Sequence, residues 1–134
     1  MIGAYNWKGK VVLVAEDEEI NYLFLEEVLR RTGALVLWAK NGNEAVELYR
    51  NNKVDLILMD LKMPEMNGYE AMNQIRETKG DTKIIAQTAF AMSGEKEEIL
   101  DSGFDGYIAK PIRISELLKL VESCFSEADK ETQV

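Results

Sequence analysis

Five short apolar runs punctuate the chain: "VVLVA" from Val11, "ALVLWA" from Ala34, "VDLILM" from Val54, "KIIAQT" from Lys83 and "GYIA" from Gly106. Each has the length of a strand, and the runs are continuously apolar rather than alternating, as in strands covered on both faces. Segments of helical length and period separate them. A chain that alternates in this way folds as a parallel sheet with helices on both faces, because right-handed crossovers point every strand in the same direction. With 134 residues, the chain has room for one such unit and enough of it to bury a core.

The first helix is expected to bury a face made of Ile20, Leu23, Phe24 and Val28, and to stop at Arg30, Arg31 and Gly33. "NGNEAVELYRNN" predicts a second helix, and "NGYEAMNQIRETKG" a third with Tyr69, Met72 and Ile75 on one stripe. Ile114, Leu117, Leu118, Val121 and Phe125 stripe the last. The helix from Ser93 has fewer apolar positions, chiefly Ile99 and Leu100, and should pack less firmly than its neighbours. Residues 1–9 read as a linker or N-terminal extension, 10–126 as the domain and 127–134 as a flexible C-terminal tail.

Several chemistries are excluded by what the sequence lacks. It contains no histidine, which removes Ser-His-Asp and Cys-His catalysis and histidine metal sites together. Its one cysteine, Cys124, allows no internal disulfide and no zinc-thiolate cluster, and reads as a buried filler. A net charge of −8 argues against a nucleic-acid surface, which needs clustered Lys and Arg. No apolar run approaches the roughly 18 residues of a membrane span, and "MIGAYNWKGK" has no signal-peptide core, so no membrane contact and a cytoplasmic location are expected. The chemistry left to this chain runs on carboxylates, hydroxyls and lysine.

Open α/β sheets bind ligands beyond the carboxyl ends of their strands. There the first run leads into Glu16 and Asp17, the third into Asp60, the fourth into Thr88, and the fifth into Lys110 and Pro111. Each acid taken alone could cap a helix. Taken together they would repel one another by about 4 kcal/mol per pair at 4 Å and an effective dielectric near 20, so a cation among them is the natural resolution. Carboxylates without thiolate or imidazole select Mg²⁺, Ca²⁺ or Mn²⁺. "DEEIN" lacks the glycine and the final glutamate of an EF-hand loop, whereas Mg²⁺ commonly combines one or two carboxylates with phosphate oxygens. A carboxylate can attack phosphorus to form an acyl phosphate while a metal and a lysine neutralise the transferred oxygens.

"AEDE", "LILMDLKMPEMNGYE", "AQTAFA" and "YIAKPI" resemble, in order and spacing from Lys10 to Phe125, the receiver domain of two-component response regulators. The resemblance implies a flavodoxin-like, three-layer α/β/α fold: five parallel strands in order 2-1-3-4-5 with five helices. It further implies that Asp60 accepts a phosphoryl group from a phosphohistidine on a histidine kinase or histidine phosphotransfer domain. Asp17, Asp60 and the Lys62 backbone carbonyl would hold Mg²⁺, or Mn²⁺ in its place, with Glu16 acting through a water. Glu16 stands where many members carry Asp, which leaves the charge intact. The Thr88 hydroxyl, the Ala89 backbone amide and Lys110 would meet the phosphoryl oxygens. Thr88 and Tyr107 would form the switch, and the Lys110-Pro111 bond would be cis.

Phosphorylation would then alter the surface of the fourth helix, fifth strand and fifth helix, through which receivers can also dimerise. Lys62 and Phe90 occupy positions that tune hydrolysis, and their bulk implies a durable phosphorylated state. "NWKGKVVLVAEDEEINYLFLEEVL" is similar to receivers fused to hybrid sensor kinases, so a parent of that type is expected, with a free-standing regulator as the alternative. The domain is expected to be a phosphoacceptor rather than an enzyme acting on an outside substrate. An aspartate-nucleophile phosphatase is the rival, but it needs a second acid where Lys62 stands. A flavin carrier would not place "EDEEIN" against a phosphate, and a docking-only receiver would not need every reactive position filled.

Overall fold

The computed structural model describes residues 2–78, 80–89 and 93–132. Strands β1 (Val11–Ala15), β2 (Leu35–Ala39), β3 (Leu56–Asp60), β4 (Lys83–Thr88) and β5 (Gly106–Ala109) form one parallel sheet in the order β2-β1-β3-β4-β5. Helices α1 (Glu19–Arg30), α2 (Gly42–Asn51), α3 (Gly68–Arg76), α4 (Ser93–Asp101) and α5 (Ile114–Thr132) connect and follow them. This is the flavodoxin-like arrangement that the resemblance implied. The strand order reverses between β1 and β3, so their carboxyl ends flank a crevice.

Alternation of side chains across the sheet sorts the core into two layers. Val12, Val14, Leu56, Leu58 and Ile85 meet α1 and α5, while Leu13, Ile57, Met59, Ile84 and Ala86 pack with residues of α2, α3 and α4. β3 is central and buried at every position, which is why its sequence does not alternate. Burying each of its large aliphatic residues contributes about 1.5–3 kcal/mol. That burial makes β3 a rigid mount for the residue at its tip, Asp60.

The α2 and α3 entrances share a device. Asn41 accepts from the Glu44 backbone N–H at 2.8 Å, and Asn67 from that of Glu70 at 3.0 Å, each capping one orphan donor of the helix start. Gly33 ends α1's turn with φ +92°, the left-handed conformation that glycine adopts without strain.

Three expectations need correction. The buried face of α1 is Tyr22, Leu25, Val28 and Leu29, whereas Ile20, Leu23 and Phe24 are 82%, 48% and 41% exposed. The helix has apolar residues on two adjacent stripes and the sheet covers only one, with the Tyr22 ring stacked on Trp38 at 4.3 Å. In the supposed linker, Trp7 is buried: its indole N–H donates to Glu122 at 2.7 Å, its ring meets Phe125 edge-on, and its backbone N–H donates to Thr32. Finally, α5 runs on to Thr132, seven residues past Phe125, and its first residue Ile114 is exposed rather than part of the buried stripe. Cys124 is buried as expected. α4 buries Ile99 but leaves Leu100 exposed, in keeping with its sparse apolar pattern. Among the described residues no helix is long and apolar enough to cross a membrane.

Candidate phosphoryl and metal site

The rim of the crevice is assembled by backbone hydrogen bonds before any side chain is considered. The Glu16 N–H donates to the Ala39 carbonyl at 2.9 Å, and its own carbonyl accepts from the Trp38 indole N–H at 2.8 Å, so β2 fixes the start of the β1–α1 loop. The register of β3 and β4 sets Asp60 beside Gln87, and that of β4 and β5 sets Thr88 beside Ala109. Lys110 therefore leaves the sheet next to Thr88, to whose carbonyl its N–H donates at 2.8 Å.

The side chains converge on this frame. The Lys110 ammonium lies 2.9 Å from Asp60 Oδ2 and 3.0 Å from Glu16 Oε1. Carboxylate oxygens of Glu16, Asp17 and Asp60 all fall within 4.8 Å of one another. Glu16 and Asp60 are buried and Asp17 is exposed, so the cluster has a wet side and a dry side. The Lys62 backbone N–H donates to Asp60 Oδ1 at 3.1 Å, while its side chain is exposed. The Lys110-Pro111 peptide is cis, as the resemblance implied.

Thr88 is buried and its hydroxyl donates to the Glu95 carboxylate of α4. Tyr107 is half-buried, with the Lys96 ammonium 5.7 Å from its ring centroid. Ala89 is exposed just beyond β4. Phe90 lies outside the described residues. Three contributors gave no usable signal in the sequence: Trp38, which steadies the acidic loop; Glu95, an ordinary acid in a first helical turn; and Gly68, whose "NG" context reads only as a turn.

Electrostatics follow from this packing. Burial, then the contact with Asp60, push the Glu16 carboxyl up to about 7 against the opposing pull of Lys110. Burial pulls the Lys110 ammonium down, but its hydrogen bonds to Asp60 and Glu16 and their charges outweigh it, and the net shift is upward. At 4.8 Å two carboxylates repel by about 3–4 kcal/mol at an effective dielectric near 20. Lys110 offsets part of this, and three clustered oxygen donors fit a hard divalent cation.

A pH dependence follows. Divalent-cation affinity should fall about tenfold per pH unit below pH 7, as a proton on Glu16 competes with the metal. Calorimetric Mg²⁺ titration at pH 6 and 8 measures it. In the metal-free protein the raised Glu16 value has the complementary consequence: its contribution to stability is full below about 4.5 and is lost as pH rises through about 7.

The family profile described as "Response regulator receiver domain" matches residues 12–122. The polar-differentiation response regulator DivK of Brucella anthropi is 34% identical over 121 residues, which span 89% of this chain and 98% of DivK. The receiver domain of a Francisella response regulator superposes with a TM-score of 0.84 at 30% identity, covering 90% of this chain and 99% of that one. A receiver domain of a Pseudomonas aeruginosa sensor histidine kinase, solved with magnesium coordinated in its active-site cleft, gives 0.82 at 33% identity over 88% of this chain and 98% of that one. The receiver of Saccharomyces cerevisiae Ssk1, in complex with the histidine phosphotransfer protein Ypd1, gives 0.78 at 34% over 82% and 84%.

Proposed function

This chain belongs to the response regulator receiver family, the phosphoacceptor modules of two-component signalling, and on that premise we propose that Asp60 is its phosphoacceptor. The observation that carries the assignment is the Lys110 ammonium held between Asp60 and Glu16 at the rim, with Asp17 completing a triad of acids. An Asp60 oxygen attacks the phosphorus of a partner's phosphohistidine. The P–N bond breaks, its electron pair leaves with the imidazole, and an acyl phosphate remains on Asp60.

The residues around it divide the remaining work. Asp17, Asp60 and the Lys62 carbonyl would hold Mg²⁺, or Mn²⁺ in its place, with Glu16 acting through a water. That ion supplies charge neutralisation to the phosphoryl oxygens. Lys110 pairs with one phosphoryl oxygen, and the Thr88 hydroxyl and Ala89 N–H donate to others. Recruitment of Thr88 lets Tyr107 reorient and alters the surface of α4, β5 and α5, through which a dimer can form. Lys62 and Phe90 govern access of hydrolytic water and so the lifetime of the acyl phosphate.

The donor is a histidine kinase or a histidine phosphotransfer domain. Supporting this, the exposed Ile20 and Phe24 line, with Glu16, Lys110, Pro111 and Ile112, a groove of about 340 Å³ that opens beside the phosphoryl site. An apolar helix carrying the donor histidine fits such a surface, and Ssk1 forms its complex with a phosphotransfer protein. We take the domain to work in the cytoplasm, within a hybrid kinase or as a free-standing regulator, and without nucleic acid, consistent with its net charge of −8.

Acetyl phosphate with Mg²⁺ should yield a covalent phosphoryl adduct that hydroxylamine cleaves, and Asp60→Asn should abolish it. Persistent hydrolysis of an external phosphoester by the Asp60→Asn protein would instead point to a phosphatase and end this reading.

A further inference from the structure

The first turn of α4 touches both switch residues through consecutive side chains. Glu95 accepts the hydrogen bond of the Thr88 hydroxyl, and Lys96 sets its ammonium over the Tyr107 ring at 5.7 Å. Apolar packing adds little to these contacts among the described residues. Ile99 is the buried apolar side chain of α4 among its described residues, whereas α3, of equal length, buries Ala71, Met72 and Ile75. A helix anchored so thinly depends on its polar contacts for its position.

A threonine hydroxyl has a single proton to donate. It can be given to the Glu95 carboxylate or to a phosphoryl oxygen on Asp60, and not to both at full strength. Glu95 also shares an open cleft with Asp17, Lys62, Tyr69 and Glu98, next to the phosphoacceptor loop. A phosphoryl group adds negative charge at the edge of that cleft, so it competes for the Glu95 partner and repels Glu95 itself.

We propose that Glu95 is a positioning residue of the phosphoryl site: it holds the Thr88 hydroxyl toward α4 in the resting protein, and surrendering it releases the first turn of α4, Lys96 included, from Tyr107. The proposal rests on the assignment of Asp60 and Thr88 made above. It supplies the mechanical link between them and the surface that changes: one proton changes acceptor, and α4 loses its tether. The two states differ in a defined contact, as a two-state switch requires.

Hydrogen exchange of the α4 amides in the unphosphorylated protein tests this without metal or phosphoryl donor. Glu95→Ala should raise exchange in α4 about tenfold, the change expected from losing a hydrogen bond to a charged group. Glu95→Gln, whose amide oxygen still accepts from Thr88, should recover most of the protection. In a Thr88→Ala background the further change Glu95→Ala should have no effect on α4, since the donor is already gone. With acetyl phosphate and Mg²⁺, Glu95→Ala should form its adduct several-fold faster than the parent, because no contact need be broken first.

Unchanged α4 exchange in Glu95→Ala, or an equal effect of that substitution with and without the Thr88 hydroxyl, would overturn the proposal. Should Glu95→Ala fail to fold, the parent protein decides: beryllium trifluoride with Mg²⁺ should increase exchange in the first turn of α4, and unchanged or increased protection there would count against the latch. Failure of the parent to form any adduct would refute the phosphoacceptor assignment instead, a result separable from the exchange measurements.

Discussion

Replacing Lys110 with alanine is expected to destabilise the metal-free protein by about 3 kcal/mol at pH 8, the usual cost of leaving buried charge without its partner. The ammonium is the shared counter-ion of Glu16, whose side chain is fully buried, and of Asp60, which is nearly so. Its removal leaves two carboxylates facing each other in a dry cluster. The Glu16 carboxyl already stands at about 7 with Lys110 present, and losing the ammonium pushes it higher. Protonation then takes over the neutralising role as pH falls, so much of the lost stability should return at pH 5.5. Divalent cation should restore it at pH 8 by the same charge argument. Urea unfolding at both pH values, with and without Mg²⁺, measures these differences. Lys110→Met keeps most of the aliphatic stem and separates charge from packing. An equal loss at pH 5.5 and pH 8 would show that Lys110 acts through packing and not as a counter-ion.

What the sequence disclosed, and what it hid, follows from how each feature is encoded. The five strands were readable because burial on both faces demands unbroken apolar runs, and β3 could not have been written with polar residues at alternate positions. The rim residues were readable because a strand's last residue has a fixed place in a parallel sheet. The α1 face was not, since Ile20, Leu23 and Phe24 form as good a periodic stripe as Tyr22, Leu25 and Leu29. Periodicity records that a surface is apolar without saying whether this chain or a partner covers it. Trp7 was hidden by its polar neighbours, and its burial depends on Phe125 and Glu122, more than a hundred residues away. The end of α5 was hidden because "SEADKET" offers only Ala128 and no large apolar residue to mark a face, although nothing in it breaks a helix. Glu95 was invisible for a different reason: acids are common in first helical turns, and only the approach of β4 and α4 makes this one a partner of Thr88.

Gly68→Ala is expected to cost about 3 kcal/mol, the upper range for overpacking, and to slow labelling of the protein by acetyl phosphate although it removes no reactive group. A methyl group on Gly68 would lie 2.4 Å from the Asp60 carbonyl oxygen and 2.9 Å from the Leu61 Cα. Both are backbone atoms, so no side-chain rotation relieves the clash. The Gly68 N–H also donates to the Leu61 carbonyl at 3.1 Å, which ties the start of α3 to the residue after Asp60. The first turn of α3 can move away only by dragging that segment with it, and Asp60 with the segment. A chain of this size should lose roughly 10 °C in melting temperature for such a change. Gly94→Ala provides the contrast: no atom of the described residues lies within 4 Å of a methyl group there, and alanine favours helix. That variant should melt at or slightly above the parent and label with acetyl phosphate as readily. The pair thus separates the loss of a glycine from the loss of close approach at Asp60, and a Gly68→Ala protein that melted and labelled like the parent would mean that β3 and α3 do not meet as closely as this geometry requires.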